Sequence, residues 1–164
     1  MSLAGRNWLL RQLTPRVENH CFGCGAGNAR GMQLTFEQDD ERRRIIGRFT
    51  LGKEYEGGSG FLHGGIIATL IDEAMGKANR FRDVLAVTAE LNVEYHRPVP
   101  VGAPFVVEAY ETACDGRNVH HECEIRSAAG KLLARGRGRF VIVDREAFRA
   151  KLEQSKRGEA SSSE

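Results

Sequence analysis

An excess of charge of either sign is missing from this sequence: 24 Lys plus Arg stand against 22 Asp plus Glu, a formal net charge of +2. A protein that tracks nucleic-acid phosphates carries a basic surplus, so nucleic acid is not an expected partner. Long apolar runs are missing as well. No stretch approaches the ~18 residues of a membrane-spanning helix, and no membrane partner is expected. Cysteine is scarce, with Cys21 and Cys24 close together and Cys114 and Cys123 far off. Four cysteines so placed do not make a secreted disulfide framework, which puts the expected location in a reducing cytoplasm. Internal repeats and interdomain linkers are absent, so residues 18–144 read as one domain. The 164 residues, 41% of them hydrophobic, suffice to bury about two thirds of the surface that the unfolded chain exposes.

The ends differ from this middle. Residues 1–17 carry Arg6, Arg11 and Arg16 and no acid, a composition shared by organellar transit peptides and short amphipathic helices. The apolar Trp8-Leu9-Leu10 is too short for the core of a secretory signal. Residues 145–164 read as a helix end running into SKRGEASSSE, a polar segment without apolar anchors that is expected to be disordered.

The middle falls into distinct periods. Residues 32–36 alternate apolar and polar side chains, and after a charged turn over residues 38–44 the run 45–51 reads as their hairpin partner. A glycine-rich loop follows, Glu56-Gly57-Gly58-Ser59-Gly60. From 63 to 80, Ile66, Ile67, Leu70, Ile71, Ala74, Met75 and Ala78 recur at spacings of three and four. They predict a helix of about 27 Å, apolar round most of its girth and therefore buried. Four stretches of period two come next, at 85–95, 105–112, 119–125 and 131–143. Pro98, Pro100 and Gly102, then Asp115-Gly116, then Ala129-Gly130 separate them with turn geometry. A hairpin, one helix and an antiparallel meander predict an α+β fold in which a curved sheet wraps a single helix.

Three segments, CFGCGAGNARGMQLTF, GGSGFLHGGIIATLIDEAMG and TAELNVEYHRPVPVG, resemble the hotdog-fold acyl-CoA thioesterases of the phenylacetate-pathway type, over about residues 20–143. The most specific part is His-Gly-Gly with a carboxylate seven residues past the second Gly. The resemblance implies hydrolysis of an acyl-CoA thioester at the interface of a homodimer, alone or within a homotetramer, with neither metal nor redox cofactor. It implies Gly64 as the backbone donor to the thioester carbonyl and Asp72 as base or nucleophile. Thr88 aligns with a hydroxyl that helps to seat the water, the alternative being an ordinary strand threonine. In some relatives an amide side chain lies six residues before the His, and here that place is Gly57.

The residues themselves point the same way. The first N–H groups of a helix lack internal partners, and Gly64 and Gly65 leave those donors unshielded. One such donor aimed at a developing oxyanion is worth roughly 3 kcal/mol of barrier. Gly65 also permits close packing, and packing alone is the plainer explanation of both glycines. Asp72 lies mid-helix, where aspartate has poor propensity. It is either catalytic or a satisfied structural carboxylate. From His63 it is rotated by about 900° and displaced by ~13 Å, so one chain cannot bring both groups to one carbonyl. Two antiparallel copies can. Glu73 is turned by about 100° from Asp72 and is expected in an ion pair or on the surface. His63 is expected to position the substrate or to lock the loop.

Gly57 and Ser59 belong to a loop expected beside the substrate, which lacks the Lys-Ser or Lys-Thr of a phosphate-binding P-loop. Arg135, Arg137 and Arg139 share one face of the last strand over ~13 Å. If Ala129-Gly130 closes a tight hairpin, Glu124 faces Arg135 and Glu122 faces Arg137, which leaves Arg117 and Arg139 as candidates for the phosphates of coenzyme A. Cys21-x-x-Cys24 has half the pattern of a zinc site but no second half-site of matching spacing, so no metal is expected. The sequence thus predicts an acyl-CoA thioesterase. A noncatalytic acyl-CoA-binding module or sensor on the same fold is the alternative.

Overall fold

A computed structural model describes residues 10–161, and the side chains of residues 10–155. The helix expected from the apolar spacing forms over Gly64–Ala78 (α1), with Ile67, Leu70, Ile71, Ala74, Met75 and Ala78 as its buried face. It is shorter than expected. At Ala78 the chain tightens into a 3₁₀ turn, Asn79–Arg82, and stops at Asp83, whose φ of 51° leaves the right-handed helical region. Its other side, from Asp72 through Gly76 and Lys77, is only half-buried rather than enclosed.

Around α1 curves an antiparallel sheet of seven strands: β1 (Leu10–Leu13), β2 (Phe36–Asp39), β3 (Arg44–Phe49), β4 (Ala86–Tyr95), β5 (Phe105–Asp115), β6 (Asn118–Ser127) and β7 (Leu132–Ile142). The expected wrap of one helix by a sheet is therefore present. The strand order β1-β2-β3-β5-β6-β7-β4 corrects the expected meander, because β4 lies beyond β7 instead of beside β5. The cause lies in residues 96–104. This proline-rich connection cannot make a tight hairpin. Its Val99 carbonyl accepts from the Leu62 N–H at 2.9 Å, and Pro100 pairs with Phe61, so the crossing is anchored to the loop before α1.

The first hairpin is shifted as well. Residues 32–35 are not a strand: the Met32 and Leu34 N–H groups donate to the Phe22 and Gly23 carbonyls at 2.8 Å each, which ties this stretch to the cysteine loop. β2 begins only at Phe36. At the amino end, where a helix was one expectation, Leu10–Leu13 is a strand paired with β2, drawn in by the burial of Leu13. The rest of that expectation, residues 1–9, lies outside the described residues. At the carboxyl end, a helix (α2) runs over Arg145–Ser161, where disorder was expected from 155 onward. Asp144 caps it, its Oδ1 accepting from the Ala147 N–H at 2.7 Å. Glu, Lys, Arg, Gln and Ala dominate the sequence, and all favour helix without a packed core. Residues 162–164 lie outside the described residues.

β7 shows how the core is built. Its Arg-Gly-Arg-Gly-Arg pattern sends the arginines outward and presents bare backbone to α1. A Cβ at Gly136 would stand 2.2 Å from Ile71 Cγ2, and one at Gly138 would stand 2.9 Å from Met75 Cε. Only glycine lets the helix lie this close to the strand.

Candidate active site

The alternation of β4 and the spacing of α1 bring two predicted residues together. Thr88 donates its hydroxyl to Asp72 Oδ1 at 2.8 Å. Asp72 is half-buried, and burial, aided by the charge of Glu73, raises its carboxyl above the usual aspartate range against the lowering effect of the Thr88 bond. A raised carboxylate is a stronger base. The pair sits beside a bulge between Thr88 and Glu90 on the sheet's edge strand. There it opens into a groove of about 420 Å³ whose lining includes Gly76, Lys77, Arg80 and Phe140.

The amino end of α1 is arranged differently from expectation in one respect. His63 is the N-cap: its Nδ1 accepts from the Gly65 N–H at 2.9 Å. This assigns His63 to locking the helix start and takes the Gly65 donor out of use. The Gly64 N–H has no hydrogen-bond partner among the described residues. Its carbonyl accepts from the Tyr95 hydroxyl at 2.9 Å. Gly57 packs against His63, since a Cβ there would stand 2.7 Å from His63 Cα. Ser59 is exposed in a loop closed by bonds between Gly57 and Phe61 and between Phe61 and Gly58, at 2.9 Å each.

Within one chain Gly64 and Asp72 stay apart, by about 12 Å along the helix axis. Tyr95, near Gly64, and Thr88, on Asp72, lie toward opposite ends of β4. The arginine stripe is largely committed to the sheet. Arg135 meets Glu124 at 2.6 Å and Arg137 meets Glu94 at 2.6 Å and Glu122 at 3.4 Å. Arg139 is held by Glu90 at 3.0 Å and by Asn118 Oδ1 at 3.0 Å. Arg117, by contrast, makes no ion pair among the described residues. It lies in the turn between β5 and β6, its carbonyl accepting from the Ile142 N–H at 2.8 Å. The turn is at the end of the sheet where Thr88 faces Phe140 and Phe140 faces Val119. Glu73 forms the expected ion pair, with Lys77 Nζ 3.4 Å away. It is not at the surface, for it also accepts from Cys21 Sγ at 3.0 Å.

Two features were missed from sequence. Tyr95 touches Gly64 from a strand 31 positions later in the chain, and nothing local signals that contact. Lys77 and Arg80 reach the groove because they follow Asp72 on the helix and its 3₁₀ extension. Helical spacing alone could have found them.

Residues 59–134 match the family model of the Thioesterase superfamily. Acyl-coenzyme A thioesterase THEM4 of Xenopus laevis is 33% identical over 103 residues, covering 63% of this chain and 46% of that protein. The same enzyme of Bos taurus is 30% identical over 126 residues, covering 76% of this chain and 52% of that protein. The chain thus spans about half the length of these curated relatives. Among solved structures, a thioesterase superfamily protein superposes with a TM-score of 0.70 at 32% identity, over 74% of this chain and 60% of the other. A hypothetical thioesterase of Streptococcus pneumoniae TIGR4, solved with coenzyme A, shares the fold at a TM-score of 0.59 and 13% identity, over 61% of this chain and 81% of the other.

Proposed function

Because the chain carries a hotdog-fold domain of the thioesterase superfamily, we propose that it hydrolyses an acyl-CoA thioester to the free acid and coenzyme A. The observation that carries this reading is the Asp72 carboxylate, raised by burial, held by Thr88 and open to a groove. As a base, Asp72 takes a proton from water as the water oxygen bonds to the thioester carbon. The carbonyl oxygen gains the negative charge and accepts from the Gly64 N–H. When that intermediate collapses, the carbon–sulfur bond breaks and the protonated Asp72 returns its proton to the departing thiolate. As a nucleophile, Asp72 would instead bond to the carbonyl carbon and expel coenzyme A as the thiolate when the carbon–sulfur bond breaks; water would then open the acyl anhydride to the free acid and the Asp72 carboxylate, its released proton matching the one the thiolate takes up. His63 holds the donor by capping the helix, and Gly65 lets the cap close.

A site complete in this sense takes two copies. Among the described residues no strand pairs with the outer edge of β4, and Val87, Leu91 and Tyr95 on it are 37%, 37% and 55% exposed. An edge this long is a template for pairing. Antiparallel pairing of two such edges about a two-fold axis near Leu91 and Asn92 would set Thr88 opposite the Tyr95 of a second copy. It would thereby carry the Gly64 donor of that copy to Asp72. The homodimer has two such sites, and a homotetramer repeats them. Arg117, without an ion pair among the described residues, is the better placed candidate for the phosphates of coenzyme A. Arg139 would first have to leave Glu90 and Asn118, and Gly57 and Ser59 would border the substrate from the loop before the helix.

The test is steady-state hydrolysis of acetyl, medium-chain, long-chain and aromatic CoA thioesters, followed by loss of thioester absorbance, for wild type and Asp72→Asn. Turnover that collapses in a folded variant of unchanged oligomeric size supports the enzyme. Tight binding without turnover, indifferent to the substitution, supports a noncatalytic acyl-CoA sensor instead.

A further inference from the structure

The cysteine pair that lacked a second half-site finds one in space. Cys21 and Cys24 face Glu73 on α1, and one ligand atom from each of the three lies within 4.8 Å of the other two. No other group of three such side chains meets that spacing among the described residues. We propose that Cys21, Cys24 and Glu73 bind a zinc ion that staples the amino-terminal loop to α1.

The loop is built to present both sulfurs. Asn19 Oδ1 accepts from the Cys21 N–H at 2.9 Å, and the Cys21 carbonyl accepts from the Gly25 N–H at 2.9 Å, which curls the four-residue turn. The Asn19 amide also points at Cys24 Sγ from 3.7 Å, the kind of outer contact that orients a thiolate ligand. Gly23, between the cysteines, is required by the third ligand, since a Cβ there would stand 2.4 Å from Glu73 Cγ. Tetrahedral zinc, with bonds of about 2.3 Å to sulfur and 2.0 Å to oxygen, spaces its ligand atoms by roughly 3.5 to 3.8 Å. Cys21 Sγ and Glu73 Oε1 are 3.0 Å apart, so side-chain adjustments of about an ångström would complete three of the four positions.

Charge and access agree with this. Two thiolates and a carboxylate outweigh a divalent ion by one negative charge, and Lys77 Nζ, 3.4 Å from Glu73 Oε2, supplies the balancing positive one. A cavity of about 300 Å³, with Asn19, Cys24 and Lys77 in its lining, gives an ion a way in and leaves room for water as the fourth ligand. Two sulfur donors favour zinc over magnesium or calcium. The ion would lie about 100° round α1 from Asp72, behind Glu73 and Lys77, which also line the Asp72 groove; its role is to fasten the loop, and the proposal does not depend on thioester hydrolysis.

The test uses the full chain, reduced, incubated with zinc and freed of unbound metal by desalting. Elemental analysis should find one zinc per chain. Cobalt in its place should give sulfur-to-cobalt charge-transfer absorption. Cys21→Ser and Cys24→Ser should each lose the metal and the absorption, Cys114→Ser should keep both, and Glu73→Gln should keep the absorption but weaken zinc binding at least tenfold. Zinc content equal in wild type and the cysteine variants overturns the proposal, as does a cobalt spectrum without charge transfer. The wild-type spectrum decides the matter even where a cysteine variant fails to fold.

Discussion

The two sides of the sheet treat their polar groups in opposite ways. On the outer face each arginine of β7 meets a carboxylate: Arg135 with Glu124, Arg137 with Glu94 and Arg139 with Glu90. On the helix side Asp72 has one hydroxyl partner and the Gly64 N–H has none among the described residues. His121 is buried there against the Phe140 ring, with neither ring nitrogen bonded among the described residues. Groups paired in this way already have their charge met within the sheet. Groups left short of partners mark either a place for substrate or a cost the fold sustains elsewhere.

Changes on the helix side should therefore cost much and changes on the outer face little. Asp72→Asn keeps the shape and removes the carboxylate proposed as base or nucleophile, and turnover should fall by ~10²- to 10⁴-fold with the elution volume on size exclusion unchanged. Acid should act next, through His121. Burial first, then Arg82 and His120, hold its imidazole down to about 4 from 6.5, with Glu111 opposing. Between those values the unfolded chain takes up a proton that the folded chain refuses. Stability should fall as pH drops through that window, by up to about 3 kcal/mol. Urea unfolding from pH 7 to 4 checks this, and the slope should shrink in His121→Leu.

Gly136→Val forces a side chain into the Ile71 contact and should cost about 1–3 kcal/mol, read as a lower urea midpoint. Thr88→Val should slow turnover about tenfold, the worth of one hydrogen bond to a charged group. Since that bond lowers the Asp72 carboxyl, its loss should also move the acid limb of the rate profile upward in pH. Arg137→Gln is the smallest case. Its partner Glu94 is exposed as it is, so neither turnover nor the urea midpoint should change measurably.

What could be read without coordinates was whatever depends on neighbours in sequence. The apolar rhythm of residues 63–80 located α1 to within two residues at its end. Glu124 does face Arg135 and Glu122 does face Arg137, but not through the two-residue turn expected at Ala129-Gly130: the Ser127 N–H donates to the Lys131 carbonyl across three residues, and a register shift between Ile125 and Arg126 restores the pairing. The same reasoning failed at residues 32–35, where an alternating pattern serves pairing with the cysteine loop instead of a strand. It failed again for β4, because strand order depends on how a distant loop captures residues 96–104. Charge spacing also could not reveal that Glu73 turns to the cysteines while Asp72 turns to Thr88.

By itself, then, the sequence determined the helix, the strands that follow it, the glycine pair at its start and the carboxylate two turns on, because helical and strand periods are set by local backbone geometry. Tertiary structure alone decided that β4 is an edge, that Gly64 and Asp72 stay apart within one chain, and that Cys21, Cys24 and Glu73 meet. Each of those outcomes is a contact between segments far apart in the chain. Such contacts form only when the packing of the whole core places the segments together, and no local pattern encodes that.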